Sequence, residues 1–332
     1  SSATTNSSSY NTSSKILTIS SSGTWYPITS KTNTATFTIT DTNAATGGGQ
    51  VSCTRYNGAA SCTITASTIT AKSGYVALGW NATQNATNAT INSGQTNVSI
   101  NSDITYYSVT YLSATVTVTF NKTAHVTSQT PYGGSASTAA SVTVSCTRYN
   151  GASTCTIKSP TFAVDTGYHV GGYIIDGGST TWDVNTDKSV SSNATYNSVA
   201  AGNVYSIHFN ANCPSGTTAS GSMANQSKTY GTPVTLNANA FSCTNRVFAG
   251  WATSASGEVV YSDGGTFPSS TDPISTAGGT TELYAKWRIT PPGTPTISSS
   301  ASTKVYGAAA TLTCTENTTY PSGITKYYQF AY

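Results

Sequence analysis

Charge is what this sequence has least of. Asp, Glu, Lys and Arg make up 8% of its 332 residues, against about 25% in an ordinary soluble protein, so solubility must rest on hydroxyls and amides. A formal net charge of +3, drawn from 14 scattered Lys and Arg, forms no basic stripe. That excludes the electrostatic footprint of a nucleic-acid or anionic-membrane partner, and it leaves few sites for trypsin-like proteases. No apolar run approaches the ~18 residues of a spanning helix, so no direct membrane insertion is expected of this segment. An initiator methionine and a signal peptide are absent too, and the chain reads as a mature, exported piece of a larger precursor whose anchor lies elsewhere.

Residues for chemistry are equally thin. The 11 acids are dispersed, with no carboxylate pair placed for acid and base roles. His169 stands where Val76 and Val247 stand in two related segments and reads as a structural replacement. His208 lies in an alternating strand and His125 in a polar loop. None has a Cys, an Asp or a second His at metal-ligand spacing. TGGGQ (46–50) and YGGSA (132–136) lack the Lys-Ser/Thr of a phosphate loop and are turns. The expectation is a non-enzymatic protein with no metal and no cofactor.

What the sequence does have is repetition. SCTRYNGAASC (52–62) returns as SCTRYNGASTC (145–155). Asn57-Gly58 and Asn150-Gly151 are type I′ turn pairs, because both central residues must accept positive φ. The register then sets Cys53 opposite Cys62 and Cys146 opposite Cys155, on non-hydrogen-bonded pairs where Cα atoms approach most closely. Each such ring is worth about 2.5 to 3 kcal/mol on the chain-entropy model. Zinc ligation and free core thiols are the competing readings, and no second cysteine pair stands at metal spacing nearby. Paired cysteines indicate an oxidising compartment. Arg55-Tyr56 and Arg148-Tyr149 flank the two turns. A guanidinium beside a flat ring is a platform for sugars or acidic glycans, although the same side chains serve equally well as plain sheet cover.

A longer repeat encloses the hairpin. GYVALGW (74–80), GYHVGGY (167–173) and NRVFAGW (245–251) share a turn residue, a Gly and then a large aromatic. Strands with period-2 alternation open the units at TATFTIT (34–40), ATVTVTF (114–120) and VYSIHFN (204–210). Others close them at ITYYSVTY (104–111), GNVYSIHF (202–209) and TTELYAKW (280–287), so that consecutive units share or abut strands. With 21 Tyr and 5 Trp available, several small cores are expected, centred on Trp80, Tyr173 and Trp251. The division is a Ser/Thr-rich segment with strand character (1–32), unit 1 (33–111), unit 2 (112–203), unit 3 (204–288), a Pro-rich linker (289–297) and a last segment (298–332). Cys314, the seventh cysteine, has no evident partner in the sequence. Asn-x-Ser/Thr sequons at Asn6, Asn11, Asn81, Asn85, Asn88, Asn97, Asn121, Asn193, Asn225 and Asn317 are candidate glycosylation sites, many of them expected by chance in such a composition.

The third unit, through VYSIHFNANC, SKTYGTPVTLNANAF, RVFAGWATSASGEVVYSDGGTF and TTELYAKW, resembles the Listeria-Bacteroides repeat, also called the internalin-type B repeat. Units 1 and 2 resemble it through the Gly-aromatic template and the closing strand. The resemblance implies a β-grasp-like module strung in tandem on bacterial cell-surface and secreted proteins, with no catalytic residues to carry over. Cys213 and Cys243 depart from the family pattern, and paired they would tie the end of the first strand to the start of the aromatic strand. Residues 298–332 look like the beginning of a bacterial Ig-like domain. The expected fold is all-β to β-rich: tandem β-grasp-like or β-sandwich modules with cross-strand disulfide hairpins, then a partial Ig-like domain. Two roles follow: a stalk or surface fibre in which identical subunits join end to end, or a module binding a glycan or host surface.

Overall fold

A computed structural model describes residues 28–268 and 271–289, and the backbone of four short strands, Ser9–Asn11, Ile16–Thr18, Thr296–Ser299 and Leu312–Thr315. The described residues are all-β, with no helix. The Ig-like expectation, the side chain of Cys314, and Asn6, Asn11 and Asn317 lie outside the described residues or their side chains.

One sheet plan recurs three times. In unit 1 the opening strand Ser30–Thr38 pairs antiparallel with Gly49–Tyr56 on one side. On its other side it pairs parallel with the closing strand Ile104–Leu112. The closing strand in turn pairs antiparallel with the aromatic strand Tyr75–Asn81. Unit 2 repeats the order with Ser141–Cys146, Val116–Asn121, Ala194–Gly202 and Tyr168–Ile175. Unit 3 does so with Gln226–Thr229, Val204–Asn210, Thr280–Ile289 and Arg246–Ala252. In each unit, two-stranded ladders such as Ala45–Gly47 with Ile69–Ala71 accompany the sheet.

One expectation is corrected. The closing strand of unit 2 is Ala194–Gly202, not residues 202–209, and neighbouring units abut without sharing a strand. The reason is register. Tyr196 lies beside Phe120 in the parallel pairing, as Tyr106 lies beside Phe37, whereas Val204–Asn210 is fully engaged as the opening strand of unit 3.

Alternation places one face of each sheet inward. Val116, Val118 and Phe120 are buried while Thr117 and Thr119 face outward, and the outer hydroxyls pair across strands, as in Thr117 with Ser145 at 2.8 Å and Thr34 with Ser52 at 3.0 Å. The opening-strand Phe meets the template aromatic in every unit. Phe37–Trp80, Phe120–Tyr173 and Phe209–Trp251 have ring centroids 5.0, 4.8 and 4.9 Å apart. Trp80, Tyr173 and Trp251 are each fully buried. At ~25 cal/mol per Å², one such ring contributes about 4 to 6 kcal/mol as an upper bound.

The Gly before each aromatic has a steric cause. Gly79, Gly172 and Gly250 take positive φ, at 135°, 87° and 141°. Each sits where the aromatic strand bulges against its closing strand. A Cβ there would press on the carbonyl oxygen of Ile91, Trp182 or Tyr261, the residue bridging to the aromatic. Gly74, which opens the template at φ 81°, has nothing within 4 Å of such a Cβ. Gly79→Ala is therefore expected to destabilise unit 1 by about 3 kcal/mol, from backbone strain plus overlap, and Gly74→Ala by about 1 kcal/mol, from strain alone. Denaturant midpoints of the two variants check the ordering.

Candidate functional site

The hairpin tips form as their Asn-Gly pairs require. Asn57 and Gly58 have φ of 52° and 75°, Asn150 and Gly151 have 52° and 79°, and Ala59 and Ala152 amides donate back to Tyr56 and Tyr149 carbonyls at 3.0 and 2.9 Å. Disulfides join Cys53 to Cys62 and Cys146 to Cys155, each with Cα atoms 5.9 Å apart. Beyond the turn the two arms part. Gly49–Tyr56 belongs to the main sheet, while Cys62–Ile64 pairs with Val98–Ile100; in unit 2, Cys155–Lys158 pairs with Asp187–Val190. Each disulfide thus fastens the main sheet to a second ladder. Cys213 and Cys243 are also joined, with Cα atoms 5.8 Å apart, between the end of the opening strand and the approach to the aromatic strand.

The four residues proposed as a sugar platform have unlike surroundings. Arg55 Nη1 donates to the carbonyls of Ala59 and Ala60 at 3.2 and 2.8 Å, clipping its own turn, and Tyr56 is 58% exposed. Arg148 donates to Ser191 O at 3.5 Å, and Tyr149 lies against Tyr111 of unit 1, with ring centroids 5.6 Å apart. The unit 2 tip is embedded in unit 1. Leu112 N donates to Arg148 O at 3.0 Å and Asn150 N to Thr110 O at 2.9 Å. Asn150 Oδ1 accepts from Thr110 N and its Nδ2 donates to Ala86 O, both at 2.9 Å. The linker residue Ser113 donates its amide to Gly74 O at 2.9 Å, and Asn203, at the next junction, donates to Gly167 O at 2.8 Å.

Two shallow recesses occupy the same place on the outer faces of units 1 and 2. The first, of about 400 Å³, is lined by Thr34, Thr36, Gln50, Asp103 and Thr105. The second, of about 560 Å³, is lined by Thr117, Thr119, Asp176, Asn193 and Thr195. Asp103 and Asn193 play one role, accepting from Thr34 N and Thr117 N at 2.8 Å.

The histidines are apart from one another. His125 lies 3.3 Å from Asp165 and stacks on Tyr168, His169 bonds Asn203 at 2.9 Å, and His208 bonds Asn225 at 2.7 Å. Among the described residues no three His, Cys, Asp or Glu gather as a metal site. Of the sequons, Asn81 is buried and donates to Asn88 O, which removes it as an attachment point. Asn121 donates to Asn197, Asn193 accepts from Thr117, and Asn225 faces His208, while Asn85, Asn88 and Asn97 are exposed.

Comparison with family models matches two stretches, residues 37–109 and 205–286, to the Listeria-Bacteroides repeat domain. The chain carries this repeat twice. No curated protein and no solved structure matches it. The first repeat lies in unit 1 and the second in unit 3; unit 2, between them, has the same strand order without a match. Repeat and disulfides together point to a bacterial surface or extracellular protein.

The second repeat contains a buried group that sequence reasoning missed. Lys228, 2% exposed, donates to Asp272 Oδ1 at 2.8 Å and to Thr229 O at 2.6 Å. The Tyr205 hydroxyl donates to the same oxygen, and Gly231 N to Asp272 Oδ2 at 2.8 Å. Burial pushes the Asp272 carboxyl up, but the hydrogen bonds from Lys228, Tyr205 and Gly231 and the lysine charge outweigh it and hold the carboxyl below its ordinary value. The signal available in the sequence was a lysine at an inward position of an alternating segment, QSKT.

Asp272→Asn leaves a buried ammonium unpaired and is expected to destabilise unit 3 by about 3 kcal/mol. A depressed folded-state pKa means that this contribution is complete above the unfolded value of about 4 and is lost as pH falls through the lower folded value. Unit 3 of the wild type should accordingly weaken in acid more steeply than that of Asp272→Asn, as followed by Trp251 fluorescence in urea titrations at pH 7 and pH 3. Equal slopes would contradict the assignment.

Proposed function

We propose that this chain is a stretch of non-enzymatic bacterial extracellular stalk or surface fibre that serves adhesion. One observation carries the reading. In each unit the opening and closing strands run parallel side by side, so the chain enters one end of the sheet and leaves at the other. Serial units of this kind extend along a line and hold a terminal function away from the cell. Low charge, the small number of Lys and Arg, and three disulfides suit a part exposed to salt and proteases. Identical subunits joined end to end are the partners in the fibre form of this reading, and the odd number of cysteines, seven, supplies its motive.

A second reading, binding of a glycan or host surface, draws on the exposed Tyr56 ring and on the hydroxyl-lined recess present in both unit 1 and unit 2. Its ligand would be a polyhydroxylated surface sugar. Electron microscopy of native material, recovered without reducing agent, separates the two. Rods or filaments with a constant axial repeat are expected of the stalk or fibre. Compact particles that bind a glycan array, and lose that binding in Tyr56→Ala, would replace it with the second reading.

A further inference from the structure

The two Arg-Tyr-Asn-Gly tips make the same pair of bonds in different settings. In unit 2, Asn150 N donates to Thr110 O and Asn150 Oδ1 accepts from Thr110 N, both at 2.9 Å. In unit 1, Asn57 N donates to Thr29 O at 2.9 Å and Asn57 Oδ1 accepts from Thr29 N at 3.3 Å. Thr29 directly precedes the opening strand of unit 1 and continues its Ser30–Tyr56 register, so the first tip stays within its own unit, whereas Thr110 belongs to the closing strand of the unit before. Unit 3 has neither the cysteines nor the Asn-Gly pair, yet the turn after its second strand reaches back in the same sense. Tyr230 N donates to Asn203 O at 2.9 Å, and the Tyr230 ring lies edge-on to Tyr168 of unit 2 at 5.4 Å.

We propose that the unit 2 tip is a docking surface whose partner is the C-terminal end of the unit 1 closing strand, and that it locks units 1 and 2 into one body. This inference does not depend on where the protein is located or on what it binds. The physical case rests on the geometry of the unit 2 tip. A closing strand has an outer edge left open past its parallel pairing with the opening strand, which ends at Tyr107 and Thr38, and open edge groups seek main-chain partners. The tip supplies them, with Leu112 N donating to Arg148 O and Asn150 N to Thr110 O. The Asn side chain then offers both an acceptor, to Thr110 N, and a donor, to Ala86 O, which neither Asp nor Gly can do. The disulfide one turn back fixes the tip before it docks, so little further ordering is needed on binding. Gly151 also packs against Asp41 of unit 1, where a Cβ would approach the carboxylate to 3.0 Å. A tilted ring contact of Tyr149 with Tyr111 completes the interface.

Asn150→Gly keeps the positive φ and removes only the side-chain bonds. Amide hydrogen exchange of the full chain in this variant is expected to accelerate at Thr110 by about tenfold, as the loss of one to two hydrogen bonds implies. Val118, inside unit 2, should be unchanged. Spin labels at Thr70→Cys in unit 1 and Thr181→Cys in unit 2, in a Cys314→Ser background, should give a narrow distance distribution in the parent and a broad one with Asn150→Gly. If Asn150→Gly disturbs Val118 exchange, Tyr149→Ala, which spares the turn, decides by the same two readouts. Exchange at Thr110 and label distances unaltered by both substitutions would overturn the proposal, as would a broad distribution in the parent.

Discussion

Parallel pairing between the first and last strands of a unit is the contact on which the rest of this structure depends. A parallel pair cannot be closed by a short turn, so everything between the two strands must travel out and return to the same end of the sheet. That excursion carries the hairpin, the second ladders and the aromatic strand. It brings Phe37 beside Tyr106, Phe120 beside Tyr196 and Phe209 beside Leu283, and around those pairs each unit assembles a core of about ten buried residues without a helix. Small cores of this kind are marginal by burial alone, which explains why each unit carries a fastening between its layers.

The fastenings are chemically different and structurally equivalent. On the second strand, Cys53 lies opposite Asn33, Cys146 opposite Val116 and Lys228 opposite Tyr205. These three positions of the opening strand are each four residues before the core Phe. Units 1 and 2 therefore place a disulfide where unit 3 places a buried lysine bonded to Asp272. The covalent staple acts largely on the unfolded chain and is indifferent to pH, whereas the ion pair is worth most when both charges are kept and every hydrogen-bonding position is filled, as Tyr205 and Gly231 do for the carboxylate. Unit 3 has a disulfide as well, Cys213 to Cys243, but it joins a different pair of segments.

Much of this plan was legible in the residues. Asn-Gly between spaced cysteines gave the turn and the pairing, alternation in ATVTVTF gave the inward Val and Phe, and the Gly-aromatic template gave the buried rings. The closing strand of unit 2 was misread because ATYNSVAAG is small and polar beside VYSIHF; only the parallel register reveals that Tyr196 takes the place of Tyr106. The arms of the hairpin were read as one ladder, since spacing within a hairpin carries no information about distant strands that compete for each arm. Lys228–Asp272 spans 44 residues, and no local pattern couples them. The contacts between units were hidden for the same reason: Arg-Tyr-Asn-Gly looks identical whether its Asn bonds Thr29, beside its own opening strand, or Thr110 of the unit before.

A unit that is entered at one end and left at the other, with those two strands hydrogen-bonded side by side, resists tension in shear, so that its bonds must break together. Single-molecule pulling of the oxidised chain by its termini tests this most directly. The account predicts three discrete, cooperative unfolding events, one for each sheet, each well above the force of simple chain extension. A smooth extension without discrete events, or strands that peel apart one at a time at low force, would contradict the parallel strand pairing and with it the reading of the chain as a stalk.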